Sequence, residues 1–368
     1  MEATRFECRA TPAVKPAFAT RVVAWQREHG RRDLPWQKTR DAYRIWLSEV
    51  MLQQTQVSTV LPYYARFVDE FPSVGALAAA PIGRVLELWS GLGYYRRAHH
   101  LHAAAQDVVA RFGGRFPADA ATLATLPGVG RSTAAAIAAF SSGERGAILD
   151  GNVRRVLARH RGVEGWPGDA HVEAALWREA ERLLPQSSAQ IAAYTQGMMD
   201  LGATVCTRAK PRCEACPVKA DCVGRLTGRV HALPAPRPRK ARPRRTVVVL
   251  LIEHEDRVLL ERRPPTGVWP GLLALPEIGV DADVRAAIAQ RFGIEAAVVE
   301  RLSPITHAFT HFVLEMRPVR VRIDAWPAHA AAPSLEWRAR SAGLALAVPA
   351  PIRRLLAKKH IDAMTSHC

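Results

Sequence analysis

LPGVGRSTAAAI, residues 126–137, is the stretch on which the fold turns. Gly128 and Gly130, one residue apart, make a tight turn, and the small apolar residues after Arg131 lead into a helix. Backbone N–H groups at such a turn and helix start can hold a DNA phosphate. Taken alone, the same pattern serves equally as an ordinary connector between helices, so its meaning depends on what surrounds it.

From Phe18 to Gly228 the pattern is helical, in Ala-rich amphipathic runs such as VGALAAAPIGRVLELWS (74–90) and HVEAALWREAERLL (171–184). HALPAPRPRKARPRR (231–245) is too rich in Pro and Arg to pack and predicts an extended, solvated linker. Beyond it, TVVVLLIE (246–253), RVLLERR (257–263) and HFVLEMRPVRVRI (311–323) predict strands, with a helix at RAAIAQRF (285–292). The expected organisation is a tail at 1–17, an all-α two-lobed domain at 18–228, a basic linker at 229–245, an α+β domain at 246–360 and a tail at 361–368, without internal repeats.

With 51 Lys+Arg against 34 Asp+Glu, the formal charge is +17, which implies a polyanionic partner, most simply nucleic acid. Residues 229–245 supply seven of these charges and no acid, so the helical region is less basic than the whole. No stretch reaches the ~18 apolar residues of a membrane span, and MEATRFECRATPAVKPAF at the N-terminus lacks a signal-peptide core. The expectation is a soluble monomer in the cytoplasm, at the nucleoid in a bacterium, with no membrane partner.

Three constellations carry chemistry. Cys206, Cys213, Cys216 and Cys222 fall within 17 residues, and soft sulfur ligands suit an iron–sulfur cluster or zinc; spacing alone leaves that choice open. In LSEVMLQQTQV (47–57), a helix over 42–61 would give Glu49 the neighbours Ile45, Trp46, Leu52 and Gln53, none of them cationic. Desolvation beside Trp46 and Leu52 would raise its pKa and leave it able to hold a proton. In LDGNVRRVLARH (149–160), Asn152 reads as a helix N-cap, placing Asp150 before the positive helix end, where its pKa is lowered and it stays ionised. A capping acid and a solvated helix acid are the plainer alternatives. An acid paired with an anion is the division of labour that cleaves glycosidic bonds.

LPWQ (34–37), SEVMLQQTQV (48–57), GLGYYRRA (91–98), LPGVGRSTA (126–134), ILDGNV (148–153) and the four cysteines together resemble the helix–hairpin–helix base-excision glycosylases of the endonuclease III superfamily, and within it the MutY-type adenine DNA glycosylases. The resemblance implies that Glu49 protonates the adenine ring, Asp150 stabilises the oxocarbenium-like sugar, Asn152 positions Asp150 or the sugar, and Trp36 lines the base pocket. It implies a [4Fe–4S] cluster on the four cysteines, and duplex DNA with adenine opposite 8-oxoguanine or guanine as partner. The adenine is flipped out of the stack, and Gln54 and Tyr94 enter the space it leaves. Ser132 stands where strand-cutting relatives carry a Schiff-base lysine, and Arg154 offers no amine either, so hydrolysis without a strong lyase step is expected. The C-terminal domain resembles a Nudix fold that keeps Gly271, Glu277 and Arg285 of the metal-binding pattern but has Ala286, Ala289 and Gln290 where carboxylates belong. The resemblance makes Phe309-Thr310-His311 its 8-oxoguanine-reading loop; a strand start is the plainer alternative. Rival functions are an endonuclease III-type pyrimidine glycosylase, a non-enzymatic DNA-binding protein, and a nucleotide-pool Nudix hydrolase.

Overall fold

The computed structural model describes residues 17–238, 241–295, 298–324, 334–340 and 347–357; the expected tails lie outside these apart from Ala17. The chain forms two compact units. Of the described residues, one unit comprises those from 17 to 49 with Phe116–Pro238, the other Val50–Arg115 with those from 241 onward. The helical region expected at 18–228 is therefore shared: the chain leaves the first unit within helix Ala42–Leu52 and re-enters it at Phe116.

In the first unit, helix Phe18–His29 buries Phe18, Val22 and Val23, and helix Arg131–Ser141 buries an unbroken alanine run from Ala134 to Ala136 around Ile137. Small side chains let neighbouring backbones approach, and the core fills with Leu149, Val153, Leu157, Leu176, Ile191 and Met198. Each such leucine, fully enclosed, contributes roughly 1.5–3 kcal/mol. Helix Gly151–Arg161 stops at Gly162 in the left-handed region, and helix Ala170–Arg182 starts on Asp169, whose carboxylate accepts from His171 and Val172 N–H. Helix Ile191–Asp200 runs on into a wider turn, Leu201–Val205, that delivers Cys206.

The second unit combines helices Val57–Glu70, Val74–Ala79, Ile82–Trp89 and Arg96–Phe112 with a mixed sheet. Strand Arg244–His254 pairs parallel with Val313–Arg322 and antiparallel with Arg257–Arg262. Val248–Ile252 is buried throughout, which is why its apolar run shows no alternation. Helix Val284–Phe292, capped by Asp283, packs Ile288 and Phe292 on that sheet. No helix of the described residues is long and apolar enough to cross a membrane.

Several expectations are corrected. The helix foreseen over 42–61 is two, Ala42–Leu52 and Val57–Glu70, separated where Gln54 takes φ 58°. The run 74–90 also splits, at Ala80 and Pro81. The start of the linker is packed rather than solvated: Leu233 is 3 % exposed and its carbonyl accepts from Arg159 Nε at 2.9 Å. Its end, Arg244-Arg245, already belongs to a strand. The strand expected at 311–323 is Val313–Arg322, and residues 309–311 lie in the turn between it and strand Ile305–Ala308, closed by Phe309 N–H on the Phe312 carbonyl at 2.9 Å.

Candidate active site

Helix Ala42–Leu52 is anchored by Trp46 and Leu47, both fully buried, with Trp46 packed on Phe116 at 5.2 Å between ring centroids. That anchoring presents half-buried Glu49 to a cavity of about 400 Å³, also lined by Trp36, Gln37, Ser48, Phe140 and Gln196. Burial, and then the negative charge of Asp150, push the Glu49 pKa up to about 8. The carboxyl therefore holds its proton at neutral pH, and the two acids share one electrostatic environment.

Asp150 is itself the N-cap of helix Gly151–Arg161, accepting from Val153 N–H at 2.7 Å. Asn152, expected to be the cap, sits inside the helix, with Nδ2 3.4 Å from Asp150 Oδ2 and Oδ1 accepting from Arg155 at 2.9 Å. The expected lowering of the Asp150 pKa is also corrected. Burial raises it, outweighing the opposing pull of the Val153 and Asn152 amides and of Arg155. The two acids still differ in kind. Both influences on Glu49 favour the proton, whereas Asp150 has donors and a cation that favour the anion.

Arg155 extends this arrangement to the cysteine loop, donating to the carbonyls of Cys206 at 2.7 Å and Gly202 at 2.6 Å. Position 202 must be glycine, because a Cβ there would lie 2.5 Å from Asn152 Cβ. Ser132 Oγ accepts from Leu149 N–H at 2.9 Å, tying the helix after the glycine turn to the residue before Asp150. In that turn Gly128 has φ 75°, the left-handed region, and helix Arg131–Ser141 starts on Gly130 with no side chain capping it. Arg154, in turn, is held by Glu173 and by the Leu149 and Pro167 carbonyls.

All four cysteines are free thiols lining one cavity with Arg159 and Val205. Among the described residues no group of three or more His, Cys, Asp or Glu is gathered as a single metal ion would need. The thiols surround a space rather than converge on a point. Burial and the neighbouring thiols push Cys216 up to about 12 and raise Cys222. Buried Arg159 braces the loop, donating to Cys206 Sγ at 3.4 Å and to the Thr207 carbonyl at 2.7 Å.

The second unit holds a cavity of about 620 Å³ lined by Gln54, Tyr94, His100, Trp269, Phe309 and Thr310. Phe309 stacks on Phe312 at 4.6 Å and meets His307 edge-on at 4.7 Å. His311 is exposed and does not line this cavity.

Residues 47–182 match the HhH-GPD superfamily base excision DNA repair proteins, and residues 247–358 match the NUDIX domain. The adenine DNA glycosylase of Buchnera aphidicola subsp. Acyrthosiphon pisum is 34 % identical over 309 residues, 84 % of this chain and 87 % of that protein. The human adenine DNA glycosylase is 34 % identical over 360 residues, 81 % of this chain and 65 % of that protein. The chain belongs to the adenine DNA glycosylases of the HhH-GPD superfamily. A solved thermostable thymine-DNA glycosylase superposes with TM-score 0.51 at 29 % identity, covering 57 % of this chain and 95 % of that one.

In this glycosylase several site residues carry little signal in the sequence. Gln37 and Gln196 face the Glu49 cavity with their amides oriented by internal bonds: Gln37 Oε1 accepts from Leu34 N–H at 3.3 Å, and Gln196 Nε2 donates to Asp200 at 2.9 Å. Asp200, fully buried, is fixed in turn by Arg31. Gln37 lies in the quoted LPWQ motif, but nothing in its spacing foretells that orientation. Trp269 and His100, in the second cavity, lie outside every motif the sequence offered; only Trp269 falls within the Nudix-like region as a whole.

Proposed function

We propose that this adenine DNA glycosylase removes adenine opposite 8-oxoguanine or guanine, that it hydrolyses the N-glycosidic bond without a lyase step, and that its four cysteines hold a [4Fe–4S] cluster. The observation that carries the chemistry is the unlike pair of carboxyl groups, Glu49 with a pKa near 8 and Asp150 with amide donors and Arg155 opposing the rise that burial causes. Glu49 delivers its proton to a ring nitrogen of the flipped adenine, which turns a poor leaving group into a neutral base. Electron density leaves the glycosidic bond with the base, and Asp150 stabilises the positive charge that develops on the sugar. Water then adds to the anomeric carbon and loses a proton, which restores the Glu49 acid for the next cycle. Asn152, held by Arg155, keeps the Asp150 carboxylate in place.

Adenine selection follows from the two glutamines. With Oε1 engaged, Gln37 keeps in Nε2 a buried donor without a protein partner, which a base entering beside it would satisfy; with Nε2 engaged, Gln196 keeps its oxygen as acceptor. An acceptor ring nitrogen and a donor amino group on one edge are what adenine offers, whereas guanine carries an oxygen acceptor and a ring N–H there. Phosphate would be held by the uncapped helix start after Gly128 and Gly130.

The absence of a lyase step is supported by the groups near Asp150. Ser132 is occupied with Leu149 N–H, and Arg154 carries a guanidinium, so neither supplies an amine for a Schiff base. Incubating the protein with duplexes bearing adenine opposite 8-oxoguanine, guanine or thymine, followed by alkali, should cleave the first two. Omitting alkali should leave strands intact, and borohydride should trap no protein–DNA adduct. A trapped adduct would remove the monofunctional assignment, and equal excision opposite thymine the mispair assignment.

The four thiols, ranged around one space with apolar walls, suit a cluster of several irons bridged by sulfide. Bound there, the cluster would hold the loop together, and the cation would keep deprotonated the thiols that burial otherwise keeps protonated. Protein made and purified without oxygen should be brown and contain about four irons per chain. Stoichiometric zinc instead would overturn this assignment.

In the Nudix-like domain the retained acid Glu277 pairs with Arg263 at 2.9 Å, and helix Val284–Phe292 presents no carboxylate. A cation has too few oxygen ligands there, which favours reading a base over hydrolysing a pyrophosphate.

A further inference from the structure

Four of the described non-glycine residues of the second unit adopt the left-handed conformation, and three of them, Gln54 (φ 58°), Tyr94 (φ 50°) and Trp269 (φ 53°), line the same cavity, Gln54 and Tyr94 each in a short turn after a helix or before one. L-residues avoid that region, and they persist in it where the surroundings over-determine it. A single side chain reaches both turns. Arg97, 9 % exposed on helix Arg96–Phe112, donates Nη1 to the carbonyls of Val50 at 3.0 Å and Met51 at 2.7 Å, in the last turn before Gln54. Its Nη2 reaches Thr55 Oγ1 at 3.1 Å, just after Gln54, and the Leu92 and Gly93 carbonyls at 3.5 and 3.3 Å, just before Tyr94. The guanidinium also lies 5.4 Å from the Tyr94 ring centroid and 5.3 Å from that of Trp89. Burial brings its pKa down only to about 10, so it remains a cation at neutral pH.

We propose that Arg97 is a positioning residue that locks the Gln54 and Tyr94 turns together in the conformation that enters the base stack when adenine is extruded. This rests on the proposal that those two side chains fill the vacated stack. A planar fork is required. Lysine keeps the charge but cannot send two coplanar sets of donors to carbonyls on two different loops. Orphaned carbonyls would relax, and with them the left-handed turns.

The test separates extrusion from chemistry. In the full-length Glu49→Gln background, a 2-aminopurine placed beside the mispaired adenine reports unstacking by its fluorescence on binding. Arg97→Lys should abolish most of that rise, and in the wild-type background it should lower single-turnover excision by about tenfold or more. Gln54→Ala and Tyr94→Ala should each diminish the same signal. If those two diminish it while Arg97→Lys leaves signal and rate intact, the positioning role is overturned. If Gln54→Ala and Tyr94→Ala leave the signal whole, the stack-entry proposal falls and this one with it. Should Arg97→Lys fail to fold, Thr55→Val removes one acceptor of the clamp, and an unchanged signal in that variant would equally overturn the role.

Discussion

The Glu49→Gln enzyme is expected to bind duplex DNA as the wild type does and to lose adenine release by about a hundred- to ten-thousand-fold, the usual contribution of a general acid. An amide has no proton to deliver at neutral pH. Asp150→Asn should cost about a hundred- to a thousand-fold, through lost stabilisation of the sugar cation. The same substitution of Glu49 should make the protein more stable. Its folded pKa of about 8 lies above the ordinary 4.5, so the carboxyl's contribution to stability is fully present below about 4.5 and is lost as pH rises through 8. Glu49→Gln removes that loss, an upper bound on the order of a few kcal/mol at neutral pH. Melting curves at pH 5 and pH 8.5 should show the variant's advantage widening with pH, and wild-type kcat/KM should fall as pH passes about 8. Near wild-type single-turnover rates in Glu49→Gln would take the acid's role away from this residue.

That opposition between rate and stability bears on what the sequence could disclose. The raised pKa of Glu49 was legible because an acid among apolar helix neighbours is a local contradiction. The cysteines and the glycine turn were legible because their spacing constrains geometry directly. The break at Gln54 was not: the run from 42 to 61 keeps helical periodicity across it, and no glycine announces the left-handed residue. The side-chain hydrogen bonds that flank the turn come from Arg97, more than 40 residues downstream. Arg155 and Arg159 were hidden for a related reason. In a chain with 51 Lys+Arg, composition cannot separate the cations that meet DNA from those buried against carbonyls. The Asp150 pKa was misjudged because a helix end was weighed without the burial around it. The linker was misjudged because Leu233, one apolar residue among prolines, is enough to dock it when Arg159 receives its carbonyl. The short strands Leu273–Ala274 and Glu277–Ile278 escape any periodicity, being two residues long.

A chain ending at Pro238 should still remove adenine and should lose its preference for 8-oxoguanine opposite it. The shortened chain keeps Glu49, Asp150, all four cysteines and the Gln54 and Tyr94 turns, but not Trp269, Phe309 or Thr310, which line the cavity with them. Losing aromatic faces removes stacking worth about 1–3 kcal/mol per base, so duplex affinity should drop by about ten- to a hundred-fold. Stacking treats guanine and 8-oxoguanine alike, so the preference must come from elsewhere. The two bases differ at C8 and N7, where 8-oxoguanine offers an N–H donor that guanine lacks. The exposed Thr310 hydroxyl, at the tip of the turn after Phe309, is the acceptor placed to receive it. Such a bond contributes about 1 kcal/mol, or about fivefold in selectivity. His311, outside the cavity lining, is expected to matter less. Truncation also strips partners from the helices that remain, since His99 is hydrogen-bonded to the Pro270 carbonyl at 3.1 Å and Ser90 to Arg353. Thr310→Val in the full chain therefore isolates recognition from support: it should narrow the 8-oxoguanine preference while leaving excision opposite guanine unchanged. If the preference survives both in the truncated chain and in Thr310→Val, base reading does not reside in the C-terminal domain.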